Sequence, residues 1–268
     1  MVKGGSCKTW WALNLSSSLG LAGYRVLAVD LNPQHDLAAD HAVISSQRVY
    51  PRFEVESVNI FGSGNGQTPK PNFGGYKGFD FVVVDTPQFL FPQVKAAWEN
   101  CHLMLMPLSP DGADYKNYAN AVAEYRTLKA RAPVICMPSK ISRLKNDLGV
   151  EALNDFLDLM RKQGCETPSY PPAFLVDYNR ALAVQGTRWV LDKRLFRGVE
   201  RVATKKFLDV FNLNLGWLLM TIQKHYGPLP APPLQVVGGR GSGPDEIYAR
   251  LEAEFEARNA KGAAATAP

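Results

Sequence analysis

Residues Lys3-Gly4-Gly5-Ser6-Cys7-Lys8-Thr9 stand directly before an apolar pattern of helical spacing and are the most informative segment of the sequence. A glycine-rich turn ahead of a helix lets backbone N–H groups converge on phosphate oxygens, and the helix dipole adds to the attraction. Lys8 would reach the β- and γ-phosphates of a nucleotide, and the Thr9 hydroxyl would bind Mg²⁺. A chance glycine-rich turn is the alternative. The predicted phosphate-binding residues are Gly4, Gly5, Ser6, Cys7, Lys8 and Thr9.

Two short apolar stretches follow the loop, residues 25–31 (RVLAVDL) and 79–85 (FDFVVVD), and each carries a carboxylate at or next to its end. Runs of this length and composition, bounded by glycine and proline, are typical of buried strands. In an open parallel sheet, ligands bind at the carboxyl ends of the strands. We therefore expect Asp30 and Asp85 to serve the metal bound at Thr9, directly or through water.

The remaining pattern alternates between strands and helices. Apolar runs at 102–108 and 132–138 each end at a proline and predict two more buried strands. Helices are expected at 10–22, 113–130, 144–163 and largely throughout 181–225, with a short strand at 173–176 and a loop over 57–78. This rhythm predicts an α/β fold with a doubly wound, mostly parallel sheet and flanking helices.

We expect three parts along the chain. Residues 1–226 should form the nucleotide-binding domain, because the strand and helix patterns run through them. Residues 227–244 are rich in proline and glycine and predict a linker. Residues 245–268 predict a charged C-terminal helix and tail.

Composition excludes several classes of protein. The chain has 268 residues, of which 46% are hydrophobic, and this share is too high for a disordered chain. Its four cysteines are too few for a disulfide scaffold and form no CxxC pair, so we expect reduced thiols in a cytoplasmic protein. No apolar run approaches the roughly 18 residues of a membrane span. The first residues also lack the apolar segment of a secretory signal.

Three motifs together resemble the deviant Walker A ATPases of the ParA/MinD type: Lys3-Gly4-Gly5-x-x-Lys8-Thr9, then VLAVDLNPQ at 26–34, then FVVVDTP at 81–87. The resemblance covers roughly residues 1–225. It implies a P-loop NTPase fold that binds ATP and Mg²⁺, and a homodimer with nucleotide held at the interface. It also implies a fold whose phosphate loop follows a central strand.

The resemblance assigns roles to individual residues. Lys3 matches the signature lysine that crosses to the partner subunit's phosphates, and Lys8 and Thr9 match the ordinary phosphate-loop pair. Asp85 matches the Walker B carboxylate. Asp30 and Asn32 match the two positions of the family's Asp-x-Asp, of which the second positions the attacking water. The implied catalytic residues are therefore Lys3, Lys8 and Asn32.

The chain departs from this family pattern at three points. Cys7 replaces the glycine before the lysine, and its Cβ is expected to crowd the phosphate cradle, restrict the backbone and lower the affinity for nucleotide. The alternative is that Cys7 is a functional thiol. Asn32 replaces the water-positioning Asp, so we expect slow or absent ATP hydrolysis. Met1 lies only two residues before Lys3, so the first strand is expected to be missing, through truncation or because the protein is a degenerate relative.

A basic segment at residues 187–206 carries seven Lys or Arg residues against two acidic ones, a net charge that equals the +5 of the whole chain. Four of its members recur every fourth residue and would line one side of a helix: Lys193, Arg197, Arg201 and Lys205. ParA-like proteins bind DNA non-specifically through basic residues near this end. The stripe therefore predicts contact with the DNA backbone, although an ordinary solvated helix face has the same pattern.

The C-terminal segment argues against a membrane partner. MinD-type relatives end in a basic amphipathic helix, whereas residues 245–261 hold five acidic and three basic side chains. Anionic lipid repels such a helix, so it is either a solvated tail or a docking helix on a tether.

Two functions remain open from the sequence. The first is a ParA-like switch of plasmid or chromosome partition, or of a related DNA-mobility system, served by an adaptor or centromere-binding-type protein partner. The second is a non-hydrolysing nucleotide-binding scaffold. Two minor expectations accompany them: Trp10 and Trp11 pack as helix core, and His35 and Asp36 could lie near the nucleotide.

Overall fold

The computed structural model describes residues 7–46, 53–60, 73–87, 92–108, 115–128, 131–139, 147–167 and 215–229. Strands and helices alternate along these residues. The strands are β1 (Val26–Asp30), β2 (Glu54–Ser57), β3 (Phe81–Asp85), β4 (Met104–Leu108) and β5 (Val134–Pro138). The helices are α1 (Lys8–Leu21), α2 (Asp36–Ser46), α3 (Pro92–Asn100), α4 (Tyr115–Thr127) and α5 (Asp147–Lys162). A 3₁₀ turn occupies Phe73–Gly75, and residues 215–226 form a further helix, α6.

All the strand pairs in the described residues are parallel, as predicted. One sheet has the order β2-β1-β3, with Ala28 opposite both Val55 and Val83. The other sheet pairs β4 with β5, and Met106 lies opposite Cys136. The two parallel sheets with flanking helices confirm the expected α/β class.

Side chains of alternate strand residues pack on two helical layers. In β3, Phe81 and Val83 pack with α1 and α6, whereas Val82 and Val84 pack on the side of α3. The second sheet follows the same rule: Ile135 and Met137 pack with α1 and α6, whereas Val134 and Cys136 face α4 and α5. Because α1 covers the same face of both sheets, the two sheets belong to one layer of the fold.

Helix α1 is buried almost all round: besides its apolar residues, the polar side chains of Asn14, Ser16 and Ser17 are buried as well. Trp10 and Trp11 are 3% and 1% exposed and meet edge to face, with ring centroids 5.4 Å apart. The expectation that both pack as helix core is confirmed. The helix ends where Gly23 adopts a φ of 97°, a conformation that glycine adopts without steric cost.

Sequence reasoning found four of the five strands and missed several shorter elements. The strand predictions near 25–31, 79–85, 102–108 and 132–138 are confirmed, as are helices near 10–22, 113–130 and 144–163. It did not find α2, β2 or α3. Part of the helix expected over 181–225 is present as α6. The strand predicted at 173–176, the tail at 245–268 and all but the first residues of the linker lie outside the described residues.

Candidate functional site

The first turn of α1 meets the carboxyl end of β3. The hydroxyl of Thr9 donates a 2.7 Å hydrogen bond to Oδ2 of Asp85, the last residue of that strand. Among the described residues, Oδ1 of Asp85 is buried and accepts no hydrogen bond. The Thr9 hydroxyl and the Asp85 carboxyl group therefore lie together, as predicted. Oδ1 of Asp85 remains able to accept a further hydrogen bond or to bind a cation.

Burial sets the protonation of this site. Desolvation raises the pKa of Asp85 to about 7; the Thr9 hydrogen bond and the charge of Lys8 act the other way, and Asp30 adds to the rise. The pKa of Lys8 is lowered, first by desolvation, against the opposing attraction of Asp85. The site therefore holds an ammonium group and a carboxyl group that both lack full hydration. Phosphate oxygens and a divalent cation would supply the missing charge.

The backbone conformation of Cys7 agrees with the prediction that a side chain restricts this position of the loop. It precedes α1 with φ 68° and ψ 18°, the left-handed region in which a Cβ costs about 1–2 kcal/mol. Its side chain makes no capping hydrogen bond to the helix. The sequence prediction that this position restricts the backbone agrees with this geometry.

The carboxylate of Asp30 accepts hydrogen bonds from three backbone N–H groups. Its Oδ1 accepts a hydrogen bond from the N–H of Asn32 at 2.9 Å, and its Oδ2 accepts bonds from the N–H groups of Leu37 and Ala38, each at 3.1 Å. Desolvation raises the pKa of Asp30, partly offset by these hydrogen bonds. In this arrangement the carboxylate caps α2 and shapes the turn after β1.

Asn32 belongs to the same turn. Its Oδ1 accepts a 3.2 Å hydrogen bond from the N–H of Gln34, and its carbonyl accepts one from the N–H of His35 at 2.8 Å. His35 has a φ of 49°, and Nδ1 of its ring has no hydrogen-bond partner among the described residues. The amide of Asn32 therefore stabilises an Asx-type turn, and His35 follows it with a buried ring nitrogen.

Sequence reasoning missed Ser139. It lies just past β5, and its hydroxyl accepts a 3.0 Å hydrogen bond from the indole Nε1 of Trp11. The first turn of α1 thus contacts the carboxyl end of β5 through Trp11 and that of β3 through Thr9. A polar residue directly after an apolar run that ends in proline was the available signal.

The remaining predicted site residues are not placed. Lys3, Gly4, Gly5 and Ser6 lie outside the described residues, as does the basic stripe of Lys193, Arg197, Arg201 and Lys205. Within the described part of the chain, no cluster of three or more His, Cys, Asp or Glu side chains could hold a metal by itself. A cation here would take Thr9, Asp85, phosphate oxygens and water, which is the oxygen set that Mg²⁺ prefers.

Residues 1–61 match the family model described as AAA domain. This segment contains the predicted phosphate loop together with α1, β1, α2 and β2. The chain resembles the ParA/MinD-type P-loop ATPases. No curated protein matches this ParA/MinD-like chain.

Solved structures with similarity to the ParA/MinD-like chain include two bacterial proteins. The MinD cell division protein of Aquifex aeolicus is 17% identical, with a TM-score of 0.49 over 80% of this chain and 94% of that chain. Cobyrinic acid a,c-diamide synthase from Mycobacterium smegmatis, solved with an ATP analogue and magnesium, is 18% identical, with a TM-score of 0.45 over 59% of this chain and 79% of that chain. In the part of the ParA/MinD-like chain that the structure describes, no helix is both long and apolar enough to cross a membrane.

Proposed function

We propose that this chain is a ParA-like protein that binds ATP and Mg²⁺ and dimerises around the nucleotide. The hydrogen bond between Thr9 and the buried Asp85 carries the proposal, because it joins the hydroxyl and the carboxylate that a phosphate-bound Mg²⁺ requires. The family match over residues 1–61 and the Lys3-to-Thr9 loop support it.

Each residue of the proposed site has a distinct task. Lys8 neutralises the phosphate chain, and its desolvation strengthens that attraction. Thr9 and Asp85 hold the cation, with Asp30 nearby as the residue that fixes the turn after β1. Gly4, Gly5, Ser6 and Cys7 present backbone N–H groups to phosphate, and Lys3 reaches the nucleotide of the partner subunit. When bound, Mg²⁺ neutralises the charge of the phosphate oxygens.

The second half of the proposal concerns DNA and a protein partner. The stripe formed by Lys193, Arg197, Arg201 and Lys205 binds the DNA backbone without sequence preference, because the charge is concentrated there. The dimer acts in plasmid or chromosome partition, or in a related DNA-mobility system in the cytoplasm. An adaptor or centromere-binding-type protein stimulates nucleotide turnover.

A specific observation favours a second candidate, a non-hydrolysing nucleotide-binding scaffold. The side chain of Asn32 is engaged with the N–H of Gln34, and an amide carries no charge with which to orient water strongly. In this alternative the nucleotide gates binding to a protein partner and is not turned over.

ATP binding and turnover distinguish the two candidates. We would measure both with and without Mg²⁺ and DNA, in the native chain, in Lys8→Ala and in Lys95→Ala. Lys95 is a partly exposed lysine of α3 that pairs with Glu124 and lies outside the proposed site, so it is the matched control. Turnover that DNA raises and that only Lys8→Ala abolishes supports the switch. Binding without turnover supports the scaffold, and no binding contradicts both.

The DNA stripe has its own experiment. Arg197→Glu combined with Arg201→Glu should weaken binding to non-specific duplex DNA and flatten its dependence on salt concentration. Arg126→Glu combined with Arg161→Glu, on α4 and α5, is the charge-matched control. Equal loss in both variants would show that net charge, and not the stripe, is responsible.

A further inference from the structure

Cys136 and Cys165 lie together in the core between the second sheet and helices α4 and α5. Both are free thiols, 0% and 5% exposed, and both belong to the apolar cluster that includes Tyr125 and Met160. The S–H of Cys136 donates a hydrogen bond to the sulfur of Cys165. Two cysteines from separate elements of the fold are therefore in direct contact.

Backbone hydrogen bonds fix the positions of these two cysteines. The N–H of Cys136 donates to the carbonyl of Glu166 at 2.9 Å, and the N–H of Glu166 donates to the carbonyl of Val134 at 2.8 Å. Residue 166 thus forms a parallel bridge beside β5. The N–H of Cys165 donates to the carbonyl of Met160 at 2.9 Å, which ties the same segment to the last turn of α5. A strand and a helix end therefore hold the two sulfurs in place.

The two thiols differ in acidity. The pKa of Cys136 is raised, first by its hydrogen bond to Cys165 and then by desolvation. The pKa of Cys165 is lowered, because its sulfur accepts that hydrogen bond and lies beside the guanidinium of Arg126, against the opposing effect of desolvation. Arg126 is an exposed residue of α4, and its guanidinium lies 3.4 Å from the position that a Cβ would take at Gly164. Because the thiolate is the reactive form, Cys165 is the more nucleophilic of the two thiols.

We propose that Cys136 and Cys165 form a reversible disulfide when a small peroxide oxidises the chain. The Cys165 thiolate attacks one oxygen of hydrogen peroxide, the O–O bond breaks, and Cys165 becomes a sulfenic acid as hydroxide leaves. The sulfur of Cys136 then attacks the sulfenic sulfur, the S–O bond breaks, and water leaves with the thiol proton of Cys136. The two thiols lose two electrons in total, and the peroxide gains them. The oxidant has to be small because Cys165 is almost fully buried.

The disulfide would lie where three elements of the fold meet. Cys136 belongs to β5, and Cys165 follows α5. The next residue, Glu166, accepts hydrogen bonds from His225 at 2.7 Å and from Lys224 at 3.2 Å, near the end of α6. A covalent link between β5 and this segment would therefore hold α5 and α6 against the second sheet. The link needs no nucleotide, so it is independent of the proposed ATP site.

Hydrogen peroxide applied to the folded native chain without nucleotide tests the proposal. The tryptic peptides 132–140 and 163–180, which contain the two cysteines, should be recovered joined to each other. The Tm should rise by at least about 4 °C, and dithiothreitol should restore both the separate peptides and the original Tm. Cys101→Ala keeps both proposed partners, so it is the matched control and should form the same link.

Three variants test the order of the steps. Cys136→Ala should leave a sulfenic acid on Cys165 that dimedone traps after unfolding in urea, whereas Cys165→Ala should yield about tenfold less trapped product at Cys136. Arg126→Ala should slow formation of the link about threefold or more at pH 7, because the Cys165 thiolate loses its neighbouring cation.

Four outcomes would overturn the proposal. Peptides that stay separate after treatment with peroxide would show that the two thiols do not form the disulfide. Peptides that become joined only in urea would show that the folded chain keeps the two sulfurs apart. A link through Cys7 or Cys101 would assign the oxidation to other thiols. Equal trapping by dimedone in Cys136→Ala and Cys165→Ala would contradict the role of Cys165 as the first nucleophile.

Discussion

Thr9 and Asp85 lie 76 residues apart in sequence, and the hydroxyl of the first donates a 2.7 Å hydrogen bond to the buried carboxyl group of the second. This bond fastens the start of α1 to the end of β3. It also opposes the desolvation that raises the pKa of Asp85. The same contact therefore contributes to the stability of the fold and to the charge of the proposed cation site.

Removing the Thr9 hydroxyl should destabilise the protein when Asp85 is ionised. We expect Thr9→Ala to lower the free energy of unfolding at pH 8 by about 1–3 kcal/mol, because a buried carboxylate loses its donor. The loss should be smaller at pH 5, where Asp85 is neutral. Thr9→Ser keeps the donor and is the control. Urea unfolding measures both, and equal losses for the two variants would contradict a role for the hydrogen bond.

The pKa of Asp85 predicts how stability depends on pH. Folding raises the pKa of Asp85 from an ordinary 3.8 to about 7. Between these two pH values the folded chain therefore keeps a proton on Asp85 that the unfolded chain has released. Stability contributed by the neutral carboxyl group is full below about pH 4 and declines as pH rises to about 7. The total is on the order of 4 kcal/mol for so buried a group.

Asp85→Asn isolates this effect, because the amide oxygen can still accept from Thr9 but cannot ionise. Urea unfolding between pH 5 and pH 8 should show a flatter pH dependence and greater stability than the native chain at pH 8. Asp155→Asn, at an exposed position on α5, is the control and should follow the native profile. Parallel pH profiles for Asp85→Asn and the native chain would contradict the raised pKa.

Glycine at position 7 should relieve backbone strain. Cys7 has a φ of 68°, and glycine adopts this conformation without the Cβ penalty, so Cys7→Gly should stabilise the chain by up to about 1 kcal/mol. Cys7→Ala removes the thiol but keeps the Cβ, and it should leave stability near that of the native chain. Thermal unfolding distinguishes them. If both variants gain equally, the thiol and not the backbone is the source of the strain.

Nucleotide affinity should follow the same order at this position. With the Cβ gone, backbone N–H groups of the loop can approach phosphate more closely, so Cys7→Gly should bind ATP more tightly than Cys7→Ala. Isothermal titration calorimetry in Mg²⁺ would measure both dissociation constants. Tighter binding by the native chain than by either variant would instead favour a functional thiol.

The contact between Trp11 and Ser139 should be energetically coupled. The indole N–H donates to a buried hydroxyl across 128 residues, and such bonds contribute about 0.5–1.5 kcal/mol net. A double-mutant cycle of Trp11→Phe and Ser139→Ala, followed by urea unfolding, should give a coupling energy of that size. The cycle Trp10→Phe with Ser139→Ala is the control. If the losses of unfolding free energy in the first cycle are simply additive, the hydrogen bond between Trp11 and Ser139 does not contribute to stability.

The strands that sequence reasoning found are those buried on at least one side by apolar neighbours. All five residues of β1 are buried, and its composition alone predicted it. Strand β2, which lies at the edge of its sheet among the described strands, has the sequence EVES with three exposed residues, so it lacks the apolar pattern. Helix α2 buries Leu37 and Ile44 on either side of the buried Asp40, and this acidic residue interrupts its apolar face.

The candidate site was predictable only in part, because local motifs can be recognised in the sequence whereas contacts that depend on the fold cannot. The loop and the two strand-end carboxylates are local motifs, so Thr9 and Asp85 could be named before the fold was known. Asp30 could be named but not its surroundings, because its donors come from the backbone of residues 32, 37 and 38 and depend on where α2 begins. Ser139 could not be linked to Trp11 because that contact arises only when β5 is in place.

The two contacts of α1 also set an order on synthesis. Thr9 needs Asp85 and Trp11 needs Ser139, so α1 cannot complete these contacts until residue 139 has been synthesised. Until then two indole rings, 1% and 3% exposed in the finished fold, have no completed core around them. Helix α1 therefore completes its packing only after β5 has been synthesised, and the proposed nucleotide site, which lies at the start of that helix, is complete no earlier.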